Sequence, residues 1–464
     1  MHLTLEEIVS CLSAETRGEI ANRVVERIST DSRTLQPGEC FVALKGPSFD
    51  GHHFCEQAEA AGASALIVST PIESVRAIPQ VIVPDTLVAL GEIARLWRSK
   101  LSSCKVVTVA GSSGKTTVKE MAASILRRHF STFATQGNLN NLIGVPLTLC
   151  ALEEHHQAAV VEIGMNMPGE LARLVEIAAP DCVALTNIGN AHVGMFGSLE
   201  GLYEAKAECL RYAPSSATFV LNADNELSQR ALQQYANGHR VILFGSTEKA
   251  HVRAHTISPM SPYGFSFILV VEGKGEAPVT LRTFGQHNIS NALAAAAIGH
   301  FFDVPIGEIA AALSAFQSGL NRSEVENLGG IWIIKDYYNA SPAAVEAALK
   351  GLREFAAPGR RYAVLGDMLE LGELEEEYHE RVGVVAARAG LEKLFAYGPR
   401  SRVTAHAASR EGLDVSHFED IESLVTTLRQ ALKEGDVVLI KGSRLMKLER
   451  VYEMLKGALL SQEK

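Results

Sequence analysis

Short β-branched runs alternate with longer stretches of helical periodicity along most of the chain, and this alternation restricts the fold more than any other feature. It is the pattern of β-α-β units, in which helices cross the faces of a parallel sheet. The expected class is therefore α/β with mostly parallel sheets. Strands are predicted at residues 106–110, 159–163, 183–186, 218–221, 241–244, 331–334, 362–365 and 437–440. Several end in Gly, Asp or Asn, and the carboxyl ends of parallel strands are where such sheets bind ligands. A chain of 464 residues exceeds what one hydrophobic core usually organises. Three domains are expected, over residues 1–100, 101–315 and 316–464: a small α/β module, a central unit and a compact Rossmann-like unit.

Composition removes several classes of function. The net charge is -10 and no dense Lys/Arg run is present, which argues against nucleic acid as a partner. The seven cysteines are scattered without a Cys-x-x-Cys pair, so neither a disulfide framework nor a zinc knuckle is indicated. The N-terminus carries Glu6 and Glu7 where a signal peptide needs a basic start, and the most apolar segment, 291–302, is too short to span a bilayer. A cytoplasmic protein without membrane insertion is expected.

The predicted strand at 106–110 runs into Gly111-Ser112-Ser113-Gly114-Lys115-Thr116-Thr117, after which Val118, Met121, Ala122 and Ile125 recur at helical spacing. A glycine loop between strand and helix lets backbone N–H groups and the helix dipole converge on phosphate oxygens. Lys115 is placed to reach the β- and γ-phosphates of ATP, and the Thr116 hydroxyl to hold Mg²⁺. The spacing departs from the usual phosphate loop, because Val109 stands where its first glycine is expected.

Downstream, Glu162 ends one predicted strand and His192 follows another, both at the sheet edge that carries the phosphate loop. A carboxylate and an imidazole beside a triphosphate suit one or two divalent ions. Read alone, Glu162 is equally a solvated strand-end carboxylate and His192 a hydrogen-bonded loop histidine. Lys206, in Tyr203-Glu204-Ala205-Lys206-Ala207-Glu208, reads alone as an exposed helical lysine paired with a glutamate.

The phosphate loop, Gly137-Asn138-Leu139-Asn140-Asn141-Leu142-Ile143-Gly144-Val145-Pro146, Glu162-Ile163-Gly164-Met165 and Thr186-Asn187-Ile188-Gly189-Asn190-Ala191-His192 together resemble the Mur ligases of peptidoglycan synthesis, and within them the MurF type. The likeness runs from Thr30-Asp31-Ser32-Arg33 to Lys441-Gly442-Ser443-Arg444, nearly the whole chain. It implies a UDP-sugar domain, a central ATPase and a closing C-terminal ligase domain. The implied reaction is ATP-dependent joining of D-alanyl-D-alanine to UDP-N-acetylmuramoyl-tripeptide through an acyl phosphate, by a monomer.

The same resemblance assigns Lys115, Lys206, His192 and Arg322 to catalysis. Lys206 is implied to carry a CO₂-derived carbamate and, with Thr116, Glu162 and His192, to hold two Mg²⁺. Asn288 and Asn291 are implied near the adenine, where helix capping is the alternative reading. Arg322 is implied to reach the γ-phosphate, although an arginine after a turn is otherwise a solvent-facing charge. Asp336 and Asn339, in Asp336-Tyr337-Tyr338-Asn339-Ala340-Ser341-Pro342, are implied around the ribose and base. Tyr337 and Ser341 depart from that motif's commonest form. Gly366-Asp367-Met368-Leu369-Glu370-Leu371-Gly372 is implied to help position the dipeptide. Ser32, Arg33 and Lys45 are implied contacts of the uridine diphosphate, and Asn138 and Asn140 further substrate contacts. Two alternatives stand beside this: a related ligase adding a single amino acid (another Mur step or a folate polyglutamate synthase), and a catalytically silent nucleotide-binding regulatory module.

Overall fold

A computed structural model describes residues 1–189, 196–319 and 321–460. Among the described residues three larger sheets form, one from each third of the chain, and a short antiparallel pair, Leu3–Thr4 with Val24–Val25, stands beside the first. Each strand expected from the sequence is present, shifted by at most one residue at either end.

The first sheet orders Glu15–Arg17, Gln80–Ile82, Ala65–Val68, Cys40–Val42 and Ile28–Ser29, parallel except at its first pair. The helix Thr86–Lys100 follows it. Asp85 caps its start by accepting hydrogen bonds from the Leu87 and Val88 amides. This helix faces two ways. Its apolar residues belong to a core that also takes in the sheets and helices of the central third, and Trp97 is 1% exposed within it. The Trp97 indole N–H donates to the Leu152 carbonyl at 3.0 Å, and Arg98 donates to the Asp181 carboxylate at 2.9 Å and to the Ala178 and Ala179 carbonyls. The first two thirds of the chain are thus joined by shared core rather than by a linker.

Among the described residues the central sheet has nine strands. Lys105–Ala110 lies between Ala158–Glu162 and Cys182–Leu185, all parallel, so the ends of these neighbours carry the phosphate loop, Glu162 and the Thr186–Asn187 turn. The sheet ends in an antiparallel meander, Val252–Pro259, Phe265–Val271 and Gly275–Leu281, which is absent from the sequence expectations. The helix Lys115–Leu126 buries Val118, Met121, Ala122 and Ile125, as its periodicity predicts, partly against the helix His287–Phe301.

In the third sheet Val437–Lys441 is flanked by Ile331–Lys335 and Arg361–Gly366, all parallel, while Glu324–Leu328 pairs antiparallel at the edge. This third meets the central one through a thin contact. The Phe284 and Tyr263 rings pack on Phe355, and the Ala356 amide donates to the Pro262 carbonyl. Between the two units lies a cleft of about 960 Å³, onto which the ends of both sheets open. Among the described residues no helix is long and apolar enough to cross a membrane.

Candidate active site

The phosphate loop takes its shape from two glycines. Gly111 has φ +138°, and a Cβ there would meet Thr186 Oγ1 at 2.0 Å; Gly114 has φ +79°, and a Cβ would meet Asn291 Oδ1 at 2.3 Å. The departure from the usual spacing has a structural cause. Val109 is still strand, paired with Glu162 on one side and Ala184 on the other, so the loop begins only at Gly111. The neighbouring turn holds it: the Ser112 amide donates to the Asn187 carbonyl at 2.9 Å, and the Thr186 hydroxyl donates to the Ser113 carbonyl at 2.6 Å.

Thr116, at the start of the following helix, donates its hydroxyl to Glu162 Oε2 at 2.7 Å, and Asn140 Nδ2 donates to Oε1 at 2.8 Å. Glu162 is 2% exposed, so the reading of a solvated carboxylate does not hold. Its hydrogen-bond partners through both oxygens are neutral, and burying a carboxylate without a bound cation is costly. Threonine hydroxyl, carboxylate and nucleotide phosphates make the all-oxygen set that Mg²⁺ prefers. Among the described residues no group of three His, Cys, Asp or Glu gathers as a metal cluster. His192 lies outside the described residues.

Lys115 donates to the Gly111 carbonyl at 3.0 Å. Burial lowers its pKa; the Glu162 charge opposes this and the Arg322 charge adds to it. Lys206 is 3% exposed, and burial followed by the charge of Lys115 lowers its pKa to about 7. The exposed, glutamate-paired lysine read from the isolated sequence is therefore not what the fold makes.

The far wall comes from the third sheet. Arg322 lies 3.7 Å from the Tyr338 ring centroid, a close cation–π contact, rather than free in solvent. Asp336 accepts from Lys441 Nζ at 2.6 Å and from the Ser323 amide at 3.0 Å, and Lys441 also donates to the Asn339 carbonyl at 3.0 Å. Asn288 and Asn291, 3% and 8% exposed, do not cap their helix. Asn288 donates to the Phe284 carbonyl and Asn291 to Asn288, which leaves Asn291 Oδ1 beside Gly114.

The cleft thus gathers Ser112 through Thr117, Asn138, Asn140, Glu162 and Lys206 with Asn288, Asn291, Arg322, Asp336 and Asn339. Ser32, Arg33 and Lys45 do not line it. Ser32 is buried against Gln57, Arg33 is held by both oxygens of Asp31, and Lys45 stands 3.9 Å from Asp50.

Sequence reasoning missed four side chains of or beside the cleft. Tyr338 holds Arg322. Lys119, 0% exposed, donates to the Thr135 carbonyl at 2.6 Å and pairs with Glu120, while the Thr135 hydroxyl accepts from the Glu162 amide. His287 lines the cleft, where burial lowers its pKa, Asp336 opposes and Lys441 adds. Arg444 also lines it. Tyr338, His287 and Arg444 carried a signal, as members of stretches that the family resemblance singles out, and Lys119 carried none.

A phosphate loop facing buried lysines, a lone buried carboxylate and an arginine on a separate unit is the arrangement of a ligase that spends a nucleotide triphosphate. Family comparison agrees with this class. The Mur ligase family catalytic domain matches residues 24–98, the Mur ligase middle domain 109–299 and the Mur ligase glutamate ligase domain 321–444. The chain belongs to the Mur ligase family. It is similar to the UDP-N-acetylmuramoyl-tripeptide–D-alanyl-D-alanine ligases of Escherichia coli (37% identical, 98% of each chain covered) and Bacillus subtilis (33%, 97% of this chain and 98% of the other). Its fold superposes on a crystal structure of MurF from Acinetobacter baumannii with a TM-score of 0.91 (32% identity, 98% of this chain and 99% of the other). A MurF ligase from Thermotoga maritima in complex with ADP gives 0.81 (28%, 94% and 98%).

Proposed function

We propose that this chain is an ATP-dependent ligase that joins D-alanyl-D-alanine to UDP-N-acetylmuramoyl-tripeptide in peptidoglycan precursor synthesis. The observation that carries the reading is the convergence on one cleft of the phosphate loop, Glu162 and Lys206 from one unit with Arg322 and Asp336 from another. Similarity along nearly the full length to ligases of that name supports it.

The tripeptide's terminal carboxylate attacks the γ-phosphate of ATP, ADP leaves, and an acyl phosphate results. The dipeptide amine, having lost a proton, then attacks the acyl carbon and phosphate departs. Both reactants of the first step are anionic, so Lys115 and Arg322 neutralise the charge that builds between them and align the attack. Thr116 and Glu162, with His192, would hold Mg²⁺, which when bound supplies further neutralisation of the phosphates. Asn288 and Asn291 sit toward the adenine, and Asp336 and Asn339 toward the ribose and base. Ser32, Arg33 and Lys45 take the uridine diphosphate, and Asn138 and Asn140 contact the substrate.

Lys206 is the assigned carbamate site. A neutral amine adds to CO₂ and loses a proton, giving an anion where a cation stood; a lysine whose pKa lies near 7 supplies that amine at physiological pH. We assign the uridine nucleotide to residues 1–100, ATP to 101–315 and closure over the reactants to 316–464, in a cytoplasmic monomer. Trapping tests the order of steps. With ATP, Mg²⁺, the UDP-tripeptide and hydroxylamine but no dipeptide, a tripeptide hydroxamate is expected; its absence while the complete reaction proceeds would refute an acyl-phosphate route.

A further inference from the structure

Glu162 is held through both carboxylate oxygens and its amide: Thr116 donates to one oxygen, Asn140 to the other, and the amide donates to the Thr135 hydroxyl at 2.9 Å. Thr116 stands in the first turn of the helix Lys115–Leu126, and Lys119 lies one turn further along the same face. Lys119 is fully buried, and its Nζ donates to the Thr135 carbonyl at 2.6 Å. It also pairs with Glu120 at 2.7 Å, which lines the cleft. The contacts close a circuit that runs from Thr116 along the helix to Lys119, across to Thr135, and through Glu162 back to Thr116. Thr135 follows Thr132–Ala134, the last strand of the central sheet among the described residues, which pairs on one side with Ala158–Glu162. Beyond Thr135 the chain enters the loop that carries Asn140.

A buried lysine is costly to place, and a core position of this kind is ordinarily filled by an apolar side chain. An edge strand has no sheet neighbour to fix its far flank. Lys119 supplies that tie from the helix, and the tie bears on the two side chains read above as metal-holding. Mg²⁺ tolerates little departure from its preferred oxygen geometry, and the groups that orient its ligands set how well they hold it. We propose that Lys119 and Thr135 are positioning residues of the metal site, a buried crosspiece that fixes Thr116 and Glu162 relative to each other before a divalent cation arrives. Neither residue lines the cleft, so both act through Thr116 and Glu162. The proposal rests on the reading of those two residues as metal-holding and extends it to side chains behind them.

Mn²⁺ binding to the complex of the full chain with ADP, followed by electron paramagnetic resonance, tests the crosspiece without turnover. Lys119→Met and Thr135→Val are each expected to weaken Mn²⁺ binding at least tenfold, while ADP affinity in the absence of metal stays within twofold. Thr135→Ser keeps the hydroxyl and is expected to bind Mn²⁺ within twofold of the unsubstituted protein. Because the two residues act through one circuit, the double variant is expected to lie within threefold of the weaker single variant rather than to multiply the two losses. If Lys119→Met does not fold, Thr135→Val against Thr135→Ser decides alone. Mn²⁺ affinity unchanged in folded Lys119→Met or in Thr135→Val, equal losses in Thr135→Val and Thr135→Ser, or an equal loss of metal-free ADP affinity would overturn the proposal, since a role in stability alone lowers the melting temperature and leaves metal binding intact. Glu162→Gln binding Mn²⁺ as tightly as the unsubstituted protein would instead overturn the metal reading itself.

Discussion

An ammonium that has lost its water and faces a second ammonium gives up its proton readily, and Lys206 is in both situations. Between pH about 7 and the ordinary value of 10.5 the native state binds fewer protons at this site than the unfolded chain does. Stability therefore rises with pH across that window, and the cost of the buried charge is fully present below it. In CO₂-free buffer Lys206→Met is expected to melt above the parent protein at pH 6.5, with the gap shrinking toward pH 10; a gap independent of pH would count against the shift. Lys206→Ala is expected to lose at least 100-fold in rate, on the order of 3 kcal/mol of barrier, and to recover partly with added short carboxylic acids. None of this was legible at residue 206 itself, where Glu204 and Glu208 suggest a solvated helix face. Its burial comes from packing of the helix Leu199–Arg211, which only the assembled sheet provides. The Thr116–Glu162–Asn140 contacts were hidden for the same reason, since they join a helix start, a strand end and a loop that are distant in sequence.

The elements most exposed to sequence reading were the parallel strands, because each is a short continuous β-branched run buried on both faces. The antiparallel meander at Val252–Leu281 was not found. Its outer strands, Val252–Pro259 and Gly275–Leu281, mix apolar residues with Arg, His, Thr, Ser and Glu, and at that length alternation is a weak signal. The edge hairpin Glu324–Leu328 with Ile331–Lys335 escaped in part for the same reason, and its stability is electrostatic as well as apolar. Although burial pushes Glu326 upward, hydrogen bonds from Tyr452 and Lys335 bring its pKa down to about 2. A carboxylate with a lowered native pKa stabilises the fold above its unfolded value of 4.5 and loses that contribution as pH falls toward 2. Glu326→Gln is expected to cost on the order of 1–2 kcal/mol at pH 7, read by denaturant unfolding, and almost nothing near pH 2. An equal cost at both pH values would assign the effect to packing. The same network fixes the approach to Arg322, since Glu324 takes both Lys335 Nζ and the Asn321 amide.

At the scale of the molecule, one core joins the first two units while the third is attached through the few aromatic contacts around Phe355. The residues proposed to contact the nucleotide line both sides of the cleft, and an acyl phosphate survives only where water is excluded. Binding of an ATP analogue with the UDP-tripeptide is therefore expected to shrink the radius of gyration measured by small-angle scattering, through rotation of the third unit alone; an unchanged radius would contradict closure. The three-unit plan was legible because three stretches of strand and helix alternate separately. The cleft was legible only through motif resemblance, because Arg322 and Lys115 meet across a gap that no spacing encodes. The most direct measurement combines the protein with ATP, Mg²⁺, UDP-N-acetylmuramoyl-tripeptide and D-alanyl-D-alanine and follows phosphate release and product mass together. One phosphate and one UDP-N-acetylmuramoyl-pentapeptide per ATP are predicted. No product with the dipeptide, but product with a single amino acid or with folate and glutamate, would contradict the assignment.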